Sequence, residues 1–356
     1  MTSLTRFLCG VVLVAGLLPA VASAQEHRIG LAAPLSDAFA LLGQQMRDGA
    51  ALAAASSGWG LTVDDDRCTA EGGQEAARGF VERGARVVVG FLCTEAIEAA
   101  MPILAEAGIP VITSGVRSGG LTDRRGRTGW PVWRVAPRAD AELAAVADIL
   151  VRRWRGELFA IVDDGTIHGR ELAESLRLAA ELAGLQPVFV DTFRPQSDNQ
   201  IGLVGRLRRA GATHVFVGGD RDDVAIMARD AAELGYELTI AGGESLLAPG
   251  LVPLAAGVLM VGIPEAADMF DEGTAELFLE AGIVPQGYVA PTYAAVEIAI
   301  QAIERADAER RPLAQVLAET AFPTLIGTVS FDDKGDRTGS PYRLLRYDGE
   351  RFLPAD

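Results

Sequence analysis

Only one of the 32 basic residues in this 356-residue chain is a lysine, Lys334. A phosphate-gripping P-loop lysine or a Schiff-base lysine therefore has no candidate elsewhere. Histidine is nearly as scarce, and His27, His168 and His214 stand far apart with none at metal-ligand spacing from a cysteine. The dinucleotide fingerprint is missing too, since Gly30-Leu-Ala-Ala-Pro-Leu-Ser36 lacks the second glycine after the first apolar run. No Walker A sequence and no G-x-S-x-G nucleophile elbow occurs. Asp64-Asp65-Asp66 and Asp332-Asp333-Lys334-Gly335-Asp336 resemble calcium loops in composition only, without the spacing such loops need. These absences leave no catalytic residue to name and predict neither a metal nor a cofactor. An enzyme on this chain would have no nucleophile–base pair and no cofactor loop to work with.

Long apolar runs are also missing, with one exception. Arg6 precedes Cys9-Gly-Val-Val-Leu-Val-Ala-Gly-Leu-Leu-Pro19, which is too short to span a bilayer, and Ala22-Ser23-Ala24 follows with the small-x-small pattern of a cleavage site. Residues 1–24 read as a signal peptide cut after Ala24, which predicts a periplasmic location. A lipoprotein anchor on Cys9 fits less well, because Arg6 stands where such a signal carries Leu or Val. Cleavage removes Arg6 and no acid, moving the net charge from −16 to −17. So acidic a chain argues against nucleic acid and against anionic membrane surfaces as partners.

Cleavage leaves two cysteines, Cys68 and Cys93. In an oxidising compartment an even pair is most simply a disulfide, and two buried thiols are the competing reading.

The mature length exceeds what one core usually supports, so two domains are expected. Short β-branched runs alternate with amphipathic stretches. Arg28–Ala32, Arg86–Gly90 and Ile109–Thr113 are predicted strands, with helices over 41–57 and 95–107. The second half repeats the pattern, with strands at 158–162, 187–190 and 214–217 and helices over 169–183, 200–210 and 222–234. Strands apolar on both faces that alternate with helices imply parallel sheets covered by helices. A long helix over 293–305 and a strand-rich end over 343–352 complete the chain. The helix could belong with the first half or form a third small domain.

Ligands of open α/β sheets sit beyond the carboxyl ends of the strands, against helix N-termini. Polar residues gather at those ends here. Thr94 opens a helix as an apparent N-cap, and Thr113-Ser-Gly-Val-Arg-Ser118 forms a Ser/Gly loop. In the second half, Asp220 follows Gly218-Gly219, and Glu244 follows Gly242-Gly243. Anion-binding groups on one half and carboxylates on the other suit a zwitterion lying between them.

Asp64–Cys68, the helix over 73–83, Val87–Thr94, Tyr293–Val296 and Phe331–Asp336 together resemble the periplasmic leucine/isoleucine/valine-binding proteins of amino-acid ABC transporters, in order and over essentially the whole mature chain. The resemblance implies a type I periplasmic-binding fold: two Rossmann-like α/β lobes with mostly parallel sheets, joined by a three-crossing hinge. It implies lobe one over 25–137 plus 265–338 and lobe two over 138–264 plus 339–356. It also implies a monomer that carries a small-molecule ligand, an amino acid or related carboxylate, to ABC permease subunits. By position, Thr94 and the backbone around Gly115 match the groups that bind the ligand carboxylate, and Glu244 matches the acid that takes the ammonium.

Arg117 stands where the branched-chain binders carry a small hydroxyl residue, and Leu42, His168 and Asp220 replace aromatic rings. The expected pocket is therefore more polar than a leucine site, with Arg117 holding a carboxylate and Glu244 and Asp220 holding donors. Other placements compete: Arg117 in solvent beside Arg124 and Arg125 or paired with Asp220, His168 as a cap, and Asp220 as a turn residue. A sensing role for the same fold is the second functional reading.

Overall fold

The computed structural model describes residues 28–355; the leader, the Ala24 cleavage point and His27 lie outside them. The chain builds two sheets. The first has five parallel strands, β1 (Arg28–Ala33), β2 (Gly60–Asp65), β3 (Val87–Gly90), β4 (Val111–Thr113) and β5 (Val132–Arg134), in the order β2-β1-β3-β4-β5. The second contains β6 (Phe159–Asp163), β7 (Phe189–Thr192), β8 (His214–Gly218), β9 (Thr239–Gly242), β10 (Leu259–Gly262), β11 (Arg343–Tyr347) and β12 (Phe352–Pro354). Its order is β12-β11-β10-β9-β8-β6-β7, parallel from β7 to β10 and antiparallel at β11 and β12.

Strand burial explains this arrangement. All of β3, β4 and β6 is buried, as expected of strands with helices on both faces. The edge strands β2 and β7 are half-exposed. On the first sheet the helices Ala70–Glu82 and Thr94–Glu106 pack together, as do Ala40–Ser56 and Val289–Glu309. Gly49 permits the second contact, since a Cβ there would lie 2.0 Å from the Val289 carbonyl oxygen. Thirteen residues of Val289–Glu309 are buried, and ten of them share one apolar core with β1, β3 and the helix Ala40–Ser56. The Val289–Glu309 helix packs on the first sheet.

The sheets exchange chain three times. It leaves the first sheet after β5, returns after β10 to form the Val289–Glu309 helix, and leaves again between Asp336 and β11. At these crossings Arg134, fully buried, donates from Nε to Asp336 Oδ1 at 2.8 Å, from Nη1 to Ser118 O at 2.6 Å and from Nη2 to Thr122 Oγ1 at 2.6 Å. Arg138 and Thr122 donate to the other oxygen of Asp336, at 3.0 and 2.9 Å.

The two acidic runs serve as turns. Asp65 accepts from the Leu35 and Arg67 amides, Asp66 accepts from the Cys68 amide, and Asp64 pairs with Arg83. Asp332 likewise accepts from the amides of Lys334 and Asp336 inside a tight turn. Cys68 and Cys93 form the disulfide, with Cα atoms 5.1 Å apart, joining the loop after β2 to the loop after β3. Closing this 25-residue span restricts the unfolded chain by about 3.5 kcal/mol in the chain-entropy account.

Candidate functional site

The loops after the carboxyl ends of the parallel strands carry Thr94, Gly115, Arg117, Asp220 and Glu244, and Arg117 and Glu244 meet across the two sheets. After β3, the N-cap position of the helix Thr94–Glu106 is Cys93, not Thr94, and Cys93 makes no side-chain cap. This corrects the expected capping role: the disulfide occupies the cysteine, and Thr94 is the first helical residue. The half-buried Thr94 hydroxyl has no hydrogen-bond partner among the described residues.

After β4 the chain turns tightly. Ser114 donates its amide to Gly90 O, and the Val116 amide donates to Thr113 Oγ1. The Gly115 amide takes no partner among the described residues. A Cβ on Gly115 would lie 2.8 Å from Phe91 O and 3.0 Å from Leu92 Cα, so only glycine lets the loops after β3 and β4 approach so closely. Ser114 Oγ meets Thr292 Oγ1 at 2.8 Å in the buried layer below, fixing this loop to the long helix.

Arg117 then reaches across to the second sheet. Its Nη2 donates to Tyr342 Oη at 2.7 Å and to Glu244 Oε2 at 3.3 Å, while Nε is covered and without a partner among the described residues. Arg117 thus pairs with Glu244 and not with Asp220. Burial works against the Arg117 charge, yet Tyr342 and Glu244 hold its pKa above the ordinary value.

Glu244 opens a short 3-10 turn after β9. Its amide donates to Glu142 Oε1 at 2.6 Å, and its Oε2 accepts from Tyr342 Oη at 3.1 Å. Burial and then the Glu244 charge push the Tyr342 hydroxyl upward, so it remains a donor at physiological pH. Burial also raises the carboxyl pKa of Glu142, against the pull of the Glu244 amide.

The remaining candidates make no hydrogen bond or ion pair with Arg117 or Glu244. His168 is exposed at the start of the helix Ile167–Leu182, with Nε2 3.5 Å from Glu142 Oε2. It does not cap that helix, because Thr166 does. Asp220 is exposed and caps the helix Arg221–Glu233 by accepting from the Asp223 amide at 2.9 Å. Leu42 is half-buried in the helix Ala40–Ser56.

Glu142 and Tyr342 were not found by reading the sequence. Glu142 sits on Ala141–Arg153, a helix absent from the predicted elements, and Tyr342 is a lone aromatic before an antiparallel strand. Two cavities, of about 490 Å³ beside Leu251 and about 400 Å³ beside Pro341, lie away from Arg117 and Glu244. Chemistry rather than enclosed volume marks the site. No cluster of metal-ligating side chains occurs among the described residues.

Two α/β sheets with three exchanges of chain, and an arginine from one meeting an acid from the other, define a two-lobed protein. Residues 26–351 match the periplasmic binding protein family model, and the chain belongs to that family. The family comprises exported solute-binding proteins of ABC transporters rather than enzymes. The chain is 27% identical to the Leu/Ile/Val-binding protein BraC3 of Rhizobium johnstonii, over 97% of this chain and 98% of that protein. Its fold is similar to a putative branched-chain amino acid ABC transporter protein from Rhodospirillum rubrum, with TM-score 0.76 and 21% identity over 92% of this chain and 99% of the other. It is also similar to a solute binding protein of an ABC transporter from Rhodopseudomonas palustris solved with 3,4-dihydroxybenzoic acid, with TM-score 0.60 and 17% identity over 92% and 95%. The expected type I periplasmic-binding fold is therefore what the chain adopts.

Proposed function

We propose that this protein binds an amino acid or related small polar carboxylate between its lobes and delivers it, as a monomer, to the permease subunits of an ABC importer. Residues 1–24 direct export and are removed after Ala24. The lobes are 25–137 plus 265–338 and 138–264 plus 339–356, and they close by bending at the three crossings. The Thr94 hydroxyl and the Gly115 amide bind the ligand carboxylate, and Glu244 binds the ammonium. Arg117 adds a second anion-binding group, with Leu42, His168 and Asp220 at the rim.

The observation that carries this reading is the meeting of Arg117 and Glu244. One charge of each sign, from opposite sheets, stands at the carboxyl ends of β4 and β9. A zwitterion entering there exchanges one long ion pair for two shorter ones. The relatives support an amino-acid ligand by name, one fold neighbour holds an aromatic acid, and organic acids are the alternative class.

Calorimetry on the mature protein with Glu244→Ala tests the reading. Loss of at least 100-fold in affinity for every amino acid that binds the wild type is expected, about 2.7 kcal/mol or more. Undiminished affinity would remove the ammonium assignment.

A further inference from the structure

Arg117 has more donors than acceptors. A guanidinium presents five N–H groups in a rigid fork. Here one nitrogen, Nη2, makes both hydrogen bonds, and the one to Glu244 at 3.3 Å is long for a charged pair. Nε is enclosed and has no acceptor among the described residues. Arg134, on the neighbouring strand, shows how the same chain satisfies an arginine it uses as structure: Nε, Nη1 and Nη2 all have acceptors there. The Arg117 charge also acts on the Tyr288 hydroxyl and the Glu142 carboxyl, and neither bonds to it.

On the amino-acid reading above, an apolar ligand makes this imbalance worse. Its carboxylate is served by neutral donors at Thr94 and Gly115, and its ammonium takes Glu244. The ammonium then stands where Arg117 touched Glu244 Oε2, so Arg117 loses its ion-pair partner as the lobes close and keeps only the unbonded Glu142 carboxyl. A cation enclosed beside a second cation, with only a tyrosine oxygen as partner, is strongly disfavoured. A second carboxylate on the ligand removes the conflict, and its planar pair of oxygens matches the guanidinium fork.

We infer that the ligand is an acidic amino acid whose side-chain carboxylate is bound by Arg117. The class is L-aspartate and L-glutamate, with the α-carboxylate at Thr94 and Gly115 and the ammonium at Glu244.

Calorimetry on the mature protein with L-glutamate, L-aspartate, L-glutamine, L-leucine and glutarate tests this, in the wild type and in Arg117→Met. One acidic amino acid binds the wild type at least 10-fold more tightly than glutamine, leucine or glutarate. Arg117→Met removes most of that preference, weakening the acidic amino acid at least 10-fold more than leucine. Arg117→Lys, which keeps the charge without the fork, gives an intermediate preference and serves as the readout if the methionine variant does not fold. Leucine binding the wild type as tightly as both acids overturns the inference alone. Equal weakening of all ligands by Arg117→Met also overturns it, making Arg117 a structural residue. Binding of aromatic or other organic acids with no amino acid bound overturns the amino-acid reading and this inference together.

Discussion

Arg134 and Arg117 lie on adjoining segments of one lobe, yet the chain treats their charges in opposite ways. Arg134 is sealed among Asp336, Ser118 and Thr122 with its donors satisfied, and Asp336 is completed from its other side by Arg138 and Thr122. Arg117 is 37% exposed, bonds through one nitrogen, and meets an acid contributed by the other lobe. A saturated buried pair has one good arrangement and resists change. An under-supplied guanidinium opposite a partly exposed acid can exchange partners at little cost. The first fixes the crossings between lobes, and the second leaves charge available to a ligand.

Arg134→Met tests the first half of that contrast most severely. It leaves Asp336 enclosed without its main partner and is expected to cost about 3–5 kcal/mol in urea unfolding, with ligand affinity of the folded fraction unchanged. Arg117→Met is expected to cost less than about 1 kcal/mol in the same measurement, because the pair it breaks is partly in water. Equal losses at the two positions would erase the distinction.

Tyr342→Phe acts between the two arginine roles. Its hydroxyl accepts from Arg117 and donates to Glu244, so it holds both charges in one orientation while remaining buried itself. Removing it should weaken ligand binding about 10-fold, or about 1.4 kcal/mol, with a smaller change in melting temperature. A variant that melts much earlier but binds normally would make Tyr342 a packing residue.

A further test concerns a carboxyl that bonds to neither arginine. Burial raises the pKa of Glu297, in the long helix, to about 7, against the pull of the Leu325 amide it accepts from. An acid whose folded pKa is raised contributes stability at low pH that is lost as the pH climbs from the unfolded value near 4.5 through 7. Glu297→Gln keeps an acceptor for Leu325 without the charge. It should add on the order of 1–2 kcal/mol at pH 8 and almost nothing at pH 4.5. A pH-independent gain would point to packing instead.

Much of the fold was legible because central parallel strands are apolar on both faces, as in Val87-Val88-Val89. The edge strand β2 escaped notice because Gly60-Leu-Thr-Val-Asp-Asp65 is half-exposed and ends in acids that look like loop chemistry. The helix Ala141–Arg153 also went unread, and Glu142 went with it. Glu244 was legible from its place after two glycines at a strand end. Tyr342 was not, because its role depends on where the third crossing returns in space, and no local pattern encodes that. Asp220 also follows two glycines at a strand end, and there its Oδ1 caps the helix Arg221–Glu233, a role its sequence position did not separate from ligand contact.

The lone lysine has a practical consequence. Lys334 lies in the turn just before the third crossing, with Nζ exposed and 2.7 Å from Asp123 Oδ1 on lobe one. An amine-reactive fluorophore therefore has one side-chain target, two residues from Asp336. With the α-amino group blocked, a single labelling step places a reporter beside the hinge without engineering a cysteine. Its emission could then follow lobe movement as each candidate solute is added.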